Sequence, residues 1–259
     1  MAPPQRIFHQ LAMRAGLIST VPTGVALWAF GPFAAVPVGV AVIGAELWRV
    51  RSAVRSGVPE VLEFMPSRPA DHPWLDADGF RRELGALDEM GFEPAADYTI
   101  LYPNAPTGLA RVLVHPQLCV YAEVNQVRHK GRITPTTTCL TSMLDDGWSL
   151  QTTSLEPLPV AVAFMQAKRS VWRSMPDAPV AELLADHTEL RTRMCADLNV
   201  RVGGDGTVDR YFELQQTGHQ ARRAALYSTN TLTGIARGLA AERRPARQWF
   251  GEYSPHRPA

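Results

Sequence analysis

Residues Ala15 to Ala45, AGLISTVPTGVALWAFGPFAAVPVGVAVIGA, form an uninterrupted run without one ionisable side chain. The hydrocarbon core of a bilayer calls for roughly 20 apolar residues per helical span, so a block of this length reads as a membrane segment. It is far longer than the apolar core of a secretory signal, although Arg6 and Arg14 precede it. One continuous helix over the block would run about 46 Å at 1.5 Å per residue, well beyond a core of roughly 30 Å. Gly31-Pro32 at the midpoint offers a reversal, because proline breaks the helical hydrogen-bond ladder and glycine tolerates a tight turn. The expectation is a transmembrane or re-entrant hairpin with arms near residues 12–30 and 33–50. At about 25 to 28 Å each, these arms fall a little short of the core.

The flanks suggest an orientation. Arg14, Trp48, Arg49, Arg51 and Arg55 sit where the segment should meet lipid headgroups, and the tip between the arms is uncharged. The excess of positive charge at both ends places them, and the main domain, on the cytoplasmic side of an inner or plasma membrane. Beyond the block, the composition is that of an ordinary folded domain, with 46% hydrophobic and 20% charged residues. A formal charge of +1 argues against a dedicated nucleic-acid binder. Cys119, Cys139 and Cys195 are widely separated, so neither a disulfide framework nor a thiolate zinc site is indicated.

Prolines at 59, 66, 69 and 73 mark residues 57–78 as a linker after the hairpin of residues 1–56. Residues 79–245 then read as one α+β domain, and 246–259 as a basic, aromatic, flexible tail. Asp78 and Gly91 bracket a short helix, with Phe80, Leu84 and Leu87 on one stripe. From Tyr98 the period changes. Segments rich in β-branched and aromatic residues, among them LCVYAEVNQV and PTTTCLTSML, predict an antiparallel meander of about five strands. Asp146-Gly147 is the strongest hairpin signal. Val112 and Val114 are expected beside Val120, Ala122 and Val124 on one face. Tyr121, Glu123, Thr137 and Thr141 make the other face polar, the better place for a ligand or partner. PLPVAVAFM fits a sixth strand or a helix start, and helices are expected from Asp177 onward, over 217–227 and over 231–244. In the last of these, Gly234 and Gly238 thin one side.

No catalytic set assembles from spacing. His115 and Cys119 lack further zinc ligands, and His187 sits on an apolar helix face, where a hydrogen-bonded core histidine is the ordinary outcome. The stretch DLNVRVGGDGTV, residues 197–208, resembles the strand and glycine-rich turn of the diacylglycerol kinase and NAD kinase superfamily. That resemblance covers about a dozen residues and implies nucleotide phosphates held at Gly203, Gly204, Asp205, Gly206 and Thr207. A hairpin through Asp205-Gly206 explains the same residues by turn chemistry. The sequence therefore supports a membrane-anchored cytoplasmic binding or regulatory module, its partners the lipid bilayer and a protein or a second copy of the chain, with no cofactor or metal indicated. A lipid or nucleotide kinase-like enzyme and a membrane-shaping or assembly component are the alternatives.

Overall fold

The computed structural model describes residues 7–101, 107–129, 131–244 and 247–255. It is an α+β chain whose sheet is mixed and mostly antiparallel, and it divides into two compact units interleaved along the sequence. The first comprises Met1–Val58, Leu158–Met165 and Ala225–Ala246; the second comprises Pro59–Pro157, Gln166–Ala224 and Arg247–Ala259. Two segments from within the 79–245 range thus join the hairpin.

The first unit is helical. Helices α1 (Ile7–Phe30) and α2 (Pro32–Ser56) pack as a hairpin that reverses at Gly31, whose φ of 76° lies in the region that favours glycine. With 24 and 25 residues, each arm extends about 36 Å, so the expectation of arms too short for a bilayer core is overturned. The helical ladder continues through the basic segment as far as Ser56. Of the two arms, α2 is long and apolar enough to cross a membrane. Around the hairpin base lie α4 (Pro159–Phe164), a helix where sequence left helix and strand open, and α7 (Thr231–Arg243). Phe8, Ala163, Phe164 and Leu226 form the buried cluster there. Gly234 and Gly238 are the sockets of that cluster: a Cβ on Gly234 would lie 2.0 Å from the Phe164 ring, and one on Gly238 2.5 Å from the Phe8 ring. The Glu242 carboxylate accepts hydrogen bonds from the backbone N–H groups of Phe8 (2.6 Å) and His9 (2.9 Å), capping α1 from a distant part of the chain.

The second unit is built on the sheet. Its strands are β1 (Glu63–Pro66), β2 (Glu93–Leu101), β3 (Thr107–His115), β4 (Val120–His129), β5 (Arg132–Ile133), β6 (Thr137–Leu144), β7 (Ser149–Thr153), β8 (Ser170–Ser174), β9 (Val202–Gly203) and β10 (Gln248–Trp249). The main order is β1-β2-β3-β4-β6-β7-β8-β10, with β5 beside β4 and β9 beside β6. Among the described residues, only β7 and β8 run parallel. The Asp146-Gly147 turn joins β6 to β7 with positive φ at both residues, 58° and 74°.

Helices α3 (Ala77–Glu89) and α5 (Val180–Leu198) cover one face, burying Phe80, Leu87 and Leu183 against Leu113, Ala122, Val124 and Leu140. Asp76, not Asp78, caps α3, accepting from Gly79 N–H at 3.0 Å, while Gly91 with φ of 86° ends it as expected. The opposite face receives α6 (Val208–Ser228), whose Tyr211 is buried against Tyr98, Val112, Val114 and Tyr121.

Several expectations are corrected here. Register pairs Val112 with Glu123 and Val114 with Tyr121, so the two valines share the face of Tyr121 and Glu123, not that of Ala122. The proline-rich stretch 57–78 is not a plain linker: it contributes edge strand β1, whose Phe64 packs on Tyr98. The final segment is docked through residue 255. Trp249 Nε1 donates to the Ala167 carbonyl (2.9 Å), and the buried Tyr253 donates to Asp197 (2.6 Å).

The glycine sockets make a sharp test. Gly234→Val should destabilise the full-length chain by about 1–3 kcal/mol, because the Phe164 ring has nowhere to go. Gly44→Ala, which meets nothing within 4 Å, should be neutral or slightly stabilising. Thermal unfolding of the two variants in the same detergent checks the difference.

Candidate functional site

Within the second unit, α6, β1 and the β6–β7 turn enclose a cleft of about 800 Å³. Its walls are apolar and aromatic, from Leu62, Phe64, Leu144, Trp148, Phe212 and Leu214. Asp145 and Asp146 sit at one side, and Arg210 and Glu213 pair with each other on the α6 side. The backbone explains the acidic edge: a turn with positive φ at two residues favours Asp-Gly, and Asp145 also accepts from Arg201 N–H (3.2 Å), tying β9 to the turn.

The aromatic floor is anchored from behind. Phe64, Tyr98 and Phe212 stack mutually with ring centroids 4.7 to 5.4 Å apart. The Tyr98 hydroxyl donates to Glu123 Oε2 at 2.5 Å, and the Tyr211 hydroxyl donates to the same oxygen. Asn125 Nδ2 donates to Glu123 Oε1 (2.6 Å), Thr137 donates to Asn125 Oδ1 (2.7 Å), and Gln215 donates to Tyr211 (2.9 Å). Burial, followed by the adjacent Glu123 charge, pushes both phenols well above their ordinary range, so they remain protonated donors. Burial also pushes the neighbouring Cys139 thiol up to about 12, again with Glu123 adding to the effect, which removes it as a nucleophile at neutral pH. Sequence reasoning placed Glu123 and Thr137 on the polar face but missed Tyr211 and Gln215. The signal was their four-residue spacing, a helical one.

The glycine-rich stretch is placed differently from a hairpin. Val202–Gly203 pairs antiparallel with Met143 and Leu144, and the chain then enters α6 directly. Gly203 lines the cleft, while Gly204 and Gly206 take positive φ, 102° and 72°. Asp205 accepts from Thr207 N–H (3.0 Å) and Thr207 Oγ1 (2.7 Å), and Thr207 Oγ1 in turn accepts from Arg210 N–H (3.3 Å). These bonds to Thr207 hold the Asp205 carboxyl below its usual range, so a negative charge already sits at the start of α6.

On the other face, His187 is fully buried and satisfied: Ser142 Oγ lies 2.8 Å from Nε2 and Thr152 Oγ1 3.0 Å from Nδ1. Arg191 donates to Ser142 Oγ (3.2 Å) and to the Leu118 carbonyl (2.7 Å). This Ser-His pair has no access to solvent, and neither Cys139 nor Cys195 hydrogen-bonds to the histidine. Among the described residues, no group of three or more His, Cys, Asp or Glu side chains is arranged to hold a metal. Of the other predicted residues, Trp48 is exposed, and Arg49 pairs with Glu46 (2.8 Å). Arg51 and Arg55 both donate to the Tyr227 carbonyl near the end of α6, and Arg55 lies 4.4 Å over the Tyr227 ring. The Arg14 side chain lies outside the described residues.

Two groups, the buried His187 and the half-buried Glu123, give stability predictions, the first of them dependent on pH. Burial, with Arg191 adding to it, lowers His187 to about 3, whereas in the unfolded chain it titrates near 6.5. Between these values the unfolded chain binds a proton that the folded chain refuses, so stability should fall as pH drops from about 6.5 to 3, by up to about 1.4 kcal/mol per unit. His187→Asn should flatten that slope in acid unfolding curves. Glu123→Gln replaces a charged acceptor of three hydrogen bonds by a neutral amide with a single acceptor oxygen, so at least one of the present donations is lost or reversed. That variant should lose about 1–3 kcal/mol in denaturant unfolding. No family model matches this chain, and neither a curated protein nor a solved structure does, so its function has to be read from these residues.

Proposed function

We propose that the chain is a membrane-anchored binding module, held in a bilayer by the α1–α2 hairpin and offering the α6 cleft on the cytoplasmic side. The observation that carries the anchor is the surface of the hairpin. Trp28 is 90% exposed and Phe33 95%, and Val25, Val36, Val40 and Ile43 are exposed along the arms. Contiguous apolar surface on this scale is costly in water and favourable in lipid. Aromatic residues gather at the tip, and Trp48 with Arg49 lies 17 and 18 residues from Gly31, about 26 Å along the helix. That spacing suits a core of roughly 30 Å with interfacial residues reaching outward at each end. Arginines before and after the hairpin favour both ends facing the cytoplasm.

The cleft supports the binding role. Apolar walls and the two aspartates of the β6–β7 turn suit a partner that brings an apolar side chain flanked by positive charge. Arg210 and Glu213 hold each other and Asp145 is held by the Arg201 N–H, and among the described residues no nucleophile there is hydrogen-bonded to a base.

Membrane fractionation tests the anchor. The full-length chain should remain in the membrane pellet after an alkaline carbonate wash. Val40→Arg, about 14 Å from the tip along α2, should shift it toward the soluble or degraded fraction, since a centrally placed arginine costs about 2.5–3.5 kcal/mol. Release of the unaltered chain by carbonate would sink the proposal.

A further inference from the structure

The first unit contains a second feature that the hairpin does not explain. Helix α7 crosses the hairpin base from one arm to the other. At its start, Thr231 Oγ1 accepts from Arg51 Nη1 of α2 (3.3 Å); near its end, Glu242 caps Phe8 and His9 of α1. Arg51 stands 20 residues from Gly31 and Phe8 stands 23, heights of about 30 and 35 Å above the tip. The two contacts therefore differ in height by about 5 Å, while the α7 segment between them, Thr231 to Glu242, is about 17 Å long. Helix α7 thus spans the hairpin base between α2 and α1.

Its composition is divided by face. Gly234, Gly238 and Ala241 are buried inward. Outward lie Leu232, Arg237 and Arg243, with Arg244 at the C-terminal cap, all exposed. None of the three arginines forms an ion pair among the described residues, and Glu242, the only acid on the helix, is spent on capping α1. Arg51 and Arg55, the residues that sequence reasoning placed at the headgroups, are turned toward the Tyr227 carbonyl.

We infer that α7 is an interfacial collar, lying in the plane of the headgroups, where Arg237, Arg243 and Arg244 bind the phosphates of anionic phospholipids. This rests on the hairpin being the anchor. With the tip at one edge of a hydrocarbon core of roughly 30 Å, the far headgroup layer begins about 30 Å along the hairpin and extends about 5 to 8 Å further. That is the depth at which α7 is attached. Exposed arginines without an ion pair at that depth lie within reach of phosphate. Guanidinium groups match phosphate oxygens in pairs, and Leu232 adds an apolar contact at the acyl boundary.

The test uses the full-length chain in nanodiscs of phosphatidylcholine alone and with one third phosphatidylglycerol, read by hydrogen–deuterium exchange. Exchange over residues 231–243 should slow in the anionic discs. The slowing should weaken by up to roughly fivefold for each arginine removed and disappear in the Arg237→Gln, Arg243→Gln, Arg244→Gln triple variant. Equal exchange in both lipids, with residues 7–56 protected in both, would overturn the collar and leave the anchor standing. Failure of residues 7–56 to be protected in either disc would overturn the anchor and the collar with it. Slowing by inorganic phosphate in neutral discs, equal to that by anionic lipid, would identify a free-anion site and also overturn the collar. Global unfolding of the triple variant, seen as fast exchange over 159–164 as well, directs the same comparison to the three single variants, where slowing by anionic lipid as strong as in the unaltered chain has the same overturning force.

Discussion

The arrangement of the sheet-bearing unit depends on where one carboxylate goes. Glu123 sits in the middle of β4 on a face otherwise lined by Tyr98, Val112, Val114 and Tyr121. Withdrawing a carboxylate even half-way from water without partners is expensive, so donors are brought to it. They come from three directions: Tyr98 on β2, Asn125 two residues along the same strand, and Tyr211 on α6. Only the last is remote in sequence, and it fixes the position of α6 over the sheet. Everything that makes the cleft follows from that placement: Phe212 and Leu214 form one wall, and Arg210 and Glu213 are carried to its rim. The carboxylate acts as a positioning residue, holding the wall of the site from behind.

The hairpin-bearing unit solves the complementary problem, in which apolar surface is abundant and the scarce resource is a fixed reference at its base. Two rings, Phe8 and Phe164, drop into the sockets left by Gly238 and Gly234, so that α1 and α4 approach α7 more closely than any side chain there would permit. Glu242 then satisfies N–H groups that the first turn of α1 leaves without partners, and Arg51 and Arg55 satisfy a carbonyl near the end of α6. Helix ends are therefore capped by side chains distant in sequence, which ties the base together without a large hydrophobic core.

What could be read from sequence alone follows from how local the cause is. The reversal at Gly31-Pro32 and the Asp146-Gly147 turn are decided within a few residues, and each appears in the structure where the pattern puts it, whereas the change of period expected at Tyr98 comes earlier, with β2 already begun at Glu93. The errors cluster where pairing partners decide. Proline spacing in 57–78 forbids a long helix but cannot exclude a four-residue edge strand, since an edge needs hydrogen bonds on one side only. Val112 and Val114 were assigned by hydrophobicity, whereas the β3–β4 register puts them opposite Glu123 and Tyr121. The stretch V-D-R-Y after the glycine loop has β-prone residues, yet Tyr211 is drawn into a helix because its hydroxyl can reach Glu123 from there. Of the cleft, the acidic turn was legible and the aromatic wall was not, because Phe64 comes from a segment read as a linker and Phe212 lies just past the stretch read as a hairpin, outside any predicted element.

The choice of basic residue connects these features. Of 26 lysines and arginines, all but Lys130 and Lys168 are arginine. Lysine offers a compact charge that is most stable fully hydrated, whereas the planar guanidinium forks between acceptors and stacks on rings. Arg111 grips Asp97 through two nitrogens across β2 and β3, Arg191 bridges Ser142 and the Leu118 carbonyl, and Arg55 combines the Tyr227 carbonyl with the Tyr227 ring. The same geometry serves phosphate at a bilayer surface. Under the proposed placement at a bilayer, a chain that caps helix ends with distant side chains, and that carries exposed arginines beside an apolar hairpin, would draw on one side chain for both purposes. A formal charge of only +1 is compatible with a basic local surface on α7, because its one acid, Glu242, caps α1 while Arg237, Arg243 and Arg244 remain outward.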